Sequence, residues 1–138
     1  MITVIFLDID GVLNRGNDDY TTCIVDPTLV KRFNKIVADT GAYIVLSSAW
    51  RNDPNWENNM VQLGIVDEFI GRTPRLKTGR GKEIYAWLKK NPGVAKYAIL
   101  DDASDLLALQ KPHFFKTSTK SGLTEGIANK VTAYLSTP

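Results

Sequence analysis

Apolar and polar positions alternate in blocks along the chain, and the blocks follow two periods. Ile2–Ile9 (ITVIFLDI) is a nearly unbroken apolar run rich in β-branched residues, the pattern of a strand covered on both faces. Tyr43–Leu46 (YIVL) and Tyr97–Leu100 (YAIL) read the same way, Ile65–Ile70 (IVDEFI) reads as a weaker strand, and His113–Lys116 (HFFK) as a fifth. Between the strands the spacing turns helical. Leu29, Phe33, Ile36 and Val37 share one face of a helix that Asp26 caps, Pro27 opens and Gly41 stops. Residues 52–63, polar around Trp56 and Met60, predict a short helix starting near Pro54, and residues 71–80 a loop. Lys82–Lys90 predicts a helix with Ile84, Trp87 and Leu88 on one face, ended by Asn91-Pro92-Gly93. Leu106, Leu107 and Leu109 suggest a further short helix, and Thr124 caps a last one bearing Ile127, Val131 and Leu135. Strands alternating with helices imply an α/β fold: a Rossmann-like three-layer α/β/α sandwich on a mainly parallel five-stranded sheet, with 1–138 as one domain.

Composition narrows the class. Hydrophobic residues are 43% and charged residues 23% of 138, ordinary for a globular domain and against disorder. The net charge is +2, which admits anionic substrates without arguing for them. One cysteine, Cys23, excludes an internal disulfide and a four-cysteine zinc site, and no basic residue lies near it in sequence to make it a reactive thiol. One histidine, His113, argues against zinc hydrolases built on several histidines and against Ser-His-Asp chemistry; it leads the fifth strand and reads as structural. The apolar runs reach about five residues, far below the ~20 that cross a bilayer. The first residues form a strand-like run without charge that ends in acids, unlike a signal peptide, so the expected location is cytoplasmic, with no membrane partner.

In an open α/β sheet a ligand site lies beyond the carboxyl ends of the strands. There the chain places Asp8, Asp10 and Gly11 after the first strand, Ser47, Ser48 and Arg51 after the second, and Asp101, Asp102 and Asp105 at and after the fourth. Arg80 and Lys82 open the helix before the fourth strand. Carboxylates crowded in this way repel one another, and a hard cation resolves the repulsion; oxygen-only ligands favour Mg²⁺ over zinc. A basic residue and a serine hydroxyl suit the free oxygens of a phosphoryl group. GRGKE (79–83) is not a nucleotide P-loop, because Glu83 follows the lysine.

Four segments in this order carry a resemblance: DxDG in FLDIDGVLN, a serine after IVL, a basic residue opening the next helix, and LDDASD. Together they resemble the motifs of the haloacid dehalogenase (HAD) superfamily. The fuller pattern DGVLN, LSSAWR, RGKEI, ILDD, SGLT resembles the capless HAD domain of bacterial and phage RNA-repair-type proteins and, more distantly, the phosphatase half of polynucleotide kinase-phosphatases. The resemblance implies a Mg²⁺-dependent phosphatase working through an aspartyl-phosphate. In it Asp8 is the nucleophile, Asp10 the general acid and then base, and Ser47 a donor to a phosphoryl oxygen. The basic role falls to Lys82 or Arg80, since RGKE allows either register. Lys82 is preferred because it lies one turn before the Trp87-facing side and a flexible ammonium suits a point charge. Asp101 and Asp102, with Asp8 and the Asp10 carbonyl, hold Mg²⁺, and Asp105 sits outside them. Ser48, Arg51 and Arg80 are candidate substrate contacts.

About 16 residues, Asn14–Leu29, separate the first strand from its helix, and the span between Arg51 and Lys82 is about 30, too few for a full cap domain. By analogy, an open site suits a phosphate at the end of a large molecule, such as the 3′-phosphate of a DNA or RNA end. Arg51, Arg72, Arg75, Lys77, Arg80 and Lys82 fall on loops near that edge and could attract a polyanion. Alternatives are free nucleotides or small phosphate esters, a phosphoprotein, or a non-catalytic HAD-fold binding module. A two-component receiver is disfavoured, because Gly71-Arg72-Thr73 after the third strand offers no acceptor aspartate. Trp50 and Trp56 could stack on bases, with core packing or a lid contact the stronger reading, and Trp87 reads as core.

Overall fold

The computed structural model describes residues 1–16 and 25–138. Cys23 lies outside the described residues. Five strands, β1 (Ile2–Leu7), β2 (Tyr43–Leu46), β3 (Phe69–Arg72), β4 (Val94–Asp101) and β5 (Phe114–Lys116), form one parallel sheet in the order β3-β2-β1-β4-β5. Four α-helices connect or follow them: α1 (Pro27–Thr40), α2 (Trp56–Gln62), α3 (Arg80–Lys90) and α4 (Glu125–Ser136). Short 3₁₀ turns occupy Ala49–Asn52 and Ala108–His113. The three-layer α/β architecture expected from the periodicity is the one observed.

Strand β1 shows why the sheet is buried on both sides. Ile5 and Leu7 pack with Leu29, Phe33, Met60, Val131 and Leu135 from α1, α2 and α4. Val4 and Phe6 face the other way, onto Ile84 and Trp87 of α3. Phe6 meets the Trp87 and Tyr97 rings edge-on, at centroid distances of 5.5 and 5.8 Å. An alternating side-chain direction with both sets apolar yields the continuous apolar run seen in the sequence.

The caps of α1 and α4 are as read. Asp26 accepts the Thr28 amide at 2.8 Å, Gly41 closes α1 at φ +70°, and Thr124 Oγ1 accepts the Ile127 amide at 3.2 Å. Boundaries moved elsewhere. β3 is Phe69–Arg72 rather than Ile65–Ile70, because Phe69 and Gly71 are the residues in register with Ile44 and Val45. α3 begins at Arg80 rather than Lys82, and the leucine-rich segment after β4 winds as a 3₁₀ turn two residues later than expected. Among the described residues no helix is long and apolar enough to cross a membrane.

The strand order places the site. From β1 the chain steps one way to β2 and β3, then crosses back to β4 and β5 on the other side. The direction of winding reverses between β1 and β4, where the carboxyl ends leave a crevice. Asp8 follows one of these strands and Asp101 ends the other.

Candidate active site

Asp8 stands one residue beyond β1, its amide bonded to the Leu100 carbonyl of β4 at 3.0 Å. Asp101 is the last residue of β4 and Asp102 the next. One carboxylate oxygen from each of the three lies within 4.8 Å of the others. Asp8 is 6% exposed and Asp101 fully buried. Burial, then the Asp101 charge, pushes Asp8 from its ordinary 3.8 up to about 8, with Arg80 acting in the opposite direction. Burial likewise raises Asp101, again against Arg80.

Arg80, the first residue of α3, supplies the positive charge within the group. Its Nη1 lies 3.5 Å from Asp8 Oδ1 and pairs with Asp101 Oδ2. Burial alone would lower the guanidinium pKa, but the charges of Asp101, Asp8 and Asp105 outweigh it and the pKa rises. The guanidinium therefore stays charged among the acids.

The turn after β1 is built around Asp102. Gly11 has φ +84°, and a Cβ there would stand 2.2 Å from Asp102 Oδ2, so only glycine lets the two segments approach this closely. Thr117 ties the same turn to the end of β5, donating to the Gly11 carbonyl at 2.7 Å while its amide bonds the Asp101 carbonyl at 2.9 Å. Thr119 Oγ1 donates to Asp102 Oδ2 at 3.2 Å.

Asp10 is exposed, and its carboxylate is held by two neutral donors. Asn14 Nδ2 donates to its Oδ1 at 2.9 Å, and Trp50 Nε1 donates to its Oδ2 at 3.1 Å. The Gly11 amide donates to Asn14 Oδ1 at 2.8 Å, which settles which way the Asn14 amide faces.

The end of β2 is held by a second cation. Arg51 is 6% exposed and donates to the carbonyls of Ser48 (2.8 Å), Thr73 (3.0 Å) and Ser47 (3.3 Å), and to Glu83 Oε2 (2.8 Å). Glu83 also accepts the Leu76 amide at 3.0 Å, which fastens the β3–α3 connection to α3. Ser48 Oγ caps the 3₁₀ turn by accepting the Trp50 amide at 3.3 Å. Among the described residues, Ser47 Oγ is buried without a hydrogen-bond partner, and so is Thr73 Oγ1. An unmatched buried hydroxyl is costly and calls for an explanation.

The structure thus brings Asp8, Asp101, Asp102 and Arg80 together, with Asp10 on the rim and Ser47 and Ser48 at the neighbouring strand end. Lys82 and Arg51 stand elsewhere, and Asp105 lies at the margin. Lys82 is exposed and forms no ion pair among the described residues. The buried stripe of α3 runs through Glu83, Ile84 and Trp87, so position 82 falls about 200° round the helix from Arg80. Arg51 is not open to a substrate, because its guanidinium is spent on three carbonyls and Glu83. Asp105 lies outside the three-acid group; its carboxylate accepts the Arg80 amide at 3.0 Å and caps α3, whose own N-cap, Gly79, has no side chain. Helical phase from Trp87 back to Arg80 was a usable signal for the first of these. Asn14 as a partner of Asp10 carried no such signal.

The comparisons with known proteins agree with this geometry. The model of the HAD domain in Swiss Army Knife RNA repair proteins matches residues 4–128. The chain belongs to this family. No curated protein and no solved structure gives a match. The family match runs from β1 into α4 and so takes in both strand ends that carry the acids.

Proposed function

We propose that this HAD domain is a phosphatase that hydrolyses a phosphomonoester through an aspartyl-phosphate on Asp8. The observation that carries the reading is the joining of Asp8, Asp101 and Asp102 from two non-consecutive strand ends around Arg80, with an oriented Asp10 beside them. Three carboxylates against one guanidinium leave excess negative charge in a buried place, and an all-oxygen donor set of this kind fits Mg²⁺. Asp8, Asp101 and Asp102, with the main-chain carbonyl of Asp10, would hold the ion. Bound there, Mg²⁺ would offset the charge of the acids and of the substrate's phosphoryl oxygens.

The residues divide the work as follows. An Asp8 carboxylate oxygen attacks phosphorus, the bond to the ester oxygen breaks, and Asp10 gives that oxygen its proton, releasing an alcohol. Asp10, now a carboxylate, takes a proton from water as the water oxygen attacks phosphorus. The bond to Asp8 breaks, inorganic phosphate leaves, and Asp10 is protonated again. Arg80 works against the burial and the Asp101 charge that raise Asp8, and so favours its anion, as a bound cation would further. Ser47, a buried hydroxyl without a partner, donates to a phosphoryl oxygen, which accounts for its unsatisfied state.

The end of a polynucleotide is the substrate that suits the surroundings. Arg72, Arg75, Lys77 and Lys82 are exposed on β3, the β3–α3 connection and α3, and Lys116 and Lys120 are exposed on the side of Asp102 and Thr119. Cations on both sides of an acidic centre attract a chain of phosphates while the centre takes the terminal one.

The test is phosphate release by wild type and Asp8→Asn, with and without Mg²⁺. The substrates are a 3′-phosphorylated oligonucleotide, its 5′-phosphorylated counterpart, a 3′-mononucleotide and an aryl phosphate. Rapid release from one oligonucleotide end, lost in Asp8→Asn and without Mg²⁺, is expected. Release from the small esters alone would make this a phosphatase of small molecules, and release from none would overturn the reading.

A further inference from the structure

Asp10 presents a physical puzzle. It is exposed, so water could satisfy it, yet two side chains are ordered around it. The Trp50 ring is already ordered by packing on the core, but holding an exposed aspartate against it costs rotamer entropy that a neutral hydrogen bond barely offsets. The donor also comes from far away in the chain. Trp50 sits in the 3₁₀ turn after β2, 40 residues from Asp10. That turn is pinned by Ser48 Oγ on the Trp50 amide and by the buried bonds of Arg51. The half-buried ring borders the small mouth formed with Asp10, Gly11, Asn14, Asp102 and Thr119.

Both partners of Asp10 are donors at the contact. Indole nitrogen can only donate, and the Asn14 amide is fixed with its NH₂ toward Asp10 by the Gly11 bond. A proton on Asp10 therefore cannot lie on the lone pair facing either partner. It is confined to a lone pair that faces away from them.

We propose that Trp50 is a positioning residue for proton transfer: its indole N–H fixes the Asp10 rotamer, so that the Asp10 proton reaches the ester oxygen as the phosphorus–oxygen bond breaks. This rests on the phosphatase reading above. It makes Trp50 matter for strongly basic alkoxide leaving groups, which need that proton, and hardly at all for leaving groups that are stable as anions.

The experiment compares kcat/KM for a nucleoside 3′-phosphate, which expels an alkoxide, with that for p-nitrophenyl phosphate, which expels a stabilised phenolate. This parameter stops at transfer to Asp8, so the later water step does not enter. Trp50→Phe removes the N–H and keeps a ring. Site-specific replacement of Trp50 by benzothienylalanine keeps the whole shape and places sulfur where the N–H was, which covers the case of a poorly folded phenylalanine variant. Both should lose about tenfold on the nucleotide, the worth of one hydrogen bond, and less than about twofold on the aryl ester. Asp10→Asn should show the same selectivity on a larger scale, about 10²–10⁴ on the nucleotide. Equal losses on both esters, or no loss on the nucleotide in the benzothienylalanine protein, would overturn the role of Trp50. A wild type that cleaves neither ester nor a phosphorylated oligonucleotide would overturn the phosphatase reading instead, and this inference with it.

Discussion

Two arginines, Arg51 buried and Arg80 half-buried, sit close to the same edge of the sheet and do opposite things. Arg51 meets one carboxylate, Glu83, and gives its remaining bonds to main-chain carbonyls of three residues. The charges balance and the donors are used. Arg80 faces Asp8 and Asp101, with Asp102 beside them, so the acids outnumber it. The first arrangement is complete as it stands and works as a fastener, holding the end of β2, the β3–α3 connection and α3 together. The second is incomplete by charge, which is the property expected of a place that receives a cation and a phosphate. A buried ion pair by itself is therefore no sign of a functional site; the mismatch in number is the informative quantity.

The largest expected effect that would sharpen this contrast is in the pH dependence of stability. Asp8 rises from 3.8 to about 8 on folding, and Asp101 also rises. A group whose folded pKa is raised contributes its full stability below the unfolded value and loses it as pH climbs through the folded one. The protein without metal should therefore become less stable from about pH 4 to about pH 8, by up to about 1.4 kcal/mol per pH unit for Asp8, with Asp101 acting in the same direction. Asp8→Asn should flatten the curve, and Mg²⁺ should raise the wild-type melting temperature most at the alkaline end. Thermal melts across pH, with Mg²⁺ and with a chelator, measure all three.

Next in size is the fastener. Glu83→Gln leaves the Arg51 charge buried and unpaired, which should cost about 3–5 kcal/mol and lower Tm by about 10–20 °C. This loss should show no such dependence on Mg²⁺, and a Mg²⁺-dependent rescue would break the distinction drawn between the two arginines. Arg80→Gln should act the other way round. Removing a charge aimed at the phosphoryl group lowers kcat/KM about 10²-fold, and it lowers Tm because the acids lose their cation, a loss that Mg²⁺ should partly recover. The smallest effect belongs to Lys82→Gln. An exposed side chain without an ion pair should change stability by less than about 0.5 kcal/mol and leave hydrolysis of a small ester within about twofold. A 10²-fold loss there would return the basic role to Lys82.

Much of this was legible in the chain because it is local. The apolar runs of β1, β2 and β4, the Asp26-Pro27 start of α1 and the acids at strand ends all depend on residues a few positions apart. The register of β3 was not legible, since Ile65–Ile70 and Phe69–Arg72 are both plausible strands and only pairing with β2 chooses between them. The N-terminus of α3 was misplaced for a related reason. Its cap is Asp105, which reaches the Arg80 amide from 25 residues away, so no capping residue stands before the helix to mark it.

The sequence by itself determined the alternation of strands and helices, the end of the sheet where the chemistry gathers, and the residue types available there, because periodicity and strand-end position are properties of a short stretch of chain. Tertiary structure alone decided which of those residues meet. It chose Arg80 over Lys82 through the phase of a helix packed on the sheet. It buried Arg51 against Glu83, and it brought Trp50 to Asp10 across 40 residues. Contacts of that range depend on which strands lie side by side, on the crossover from β3 back to β4 and on the rotation of each helix about its axis, and none of these is written in any local window of sequence.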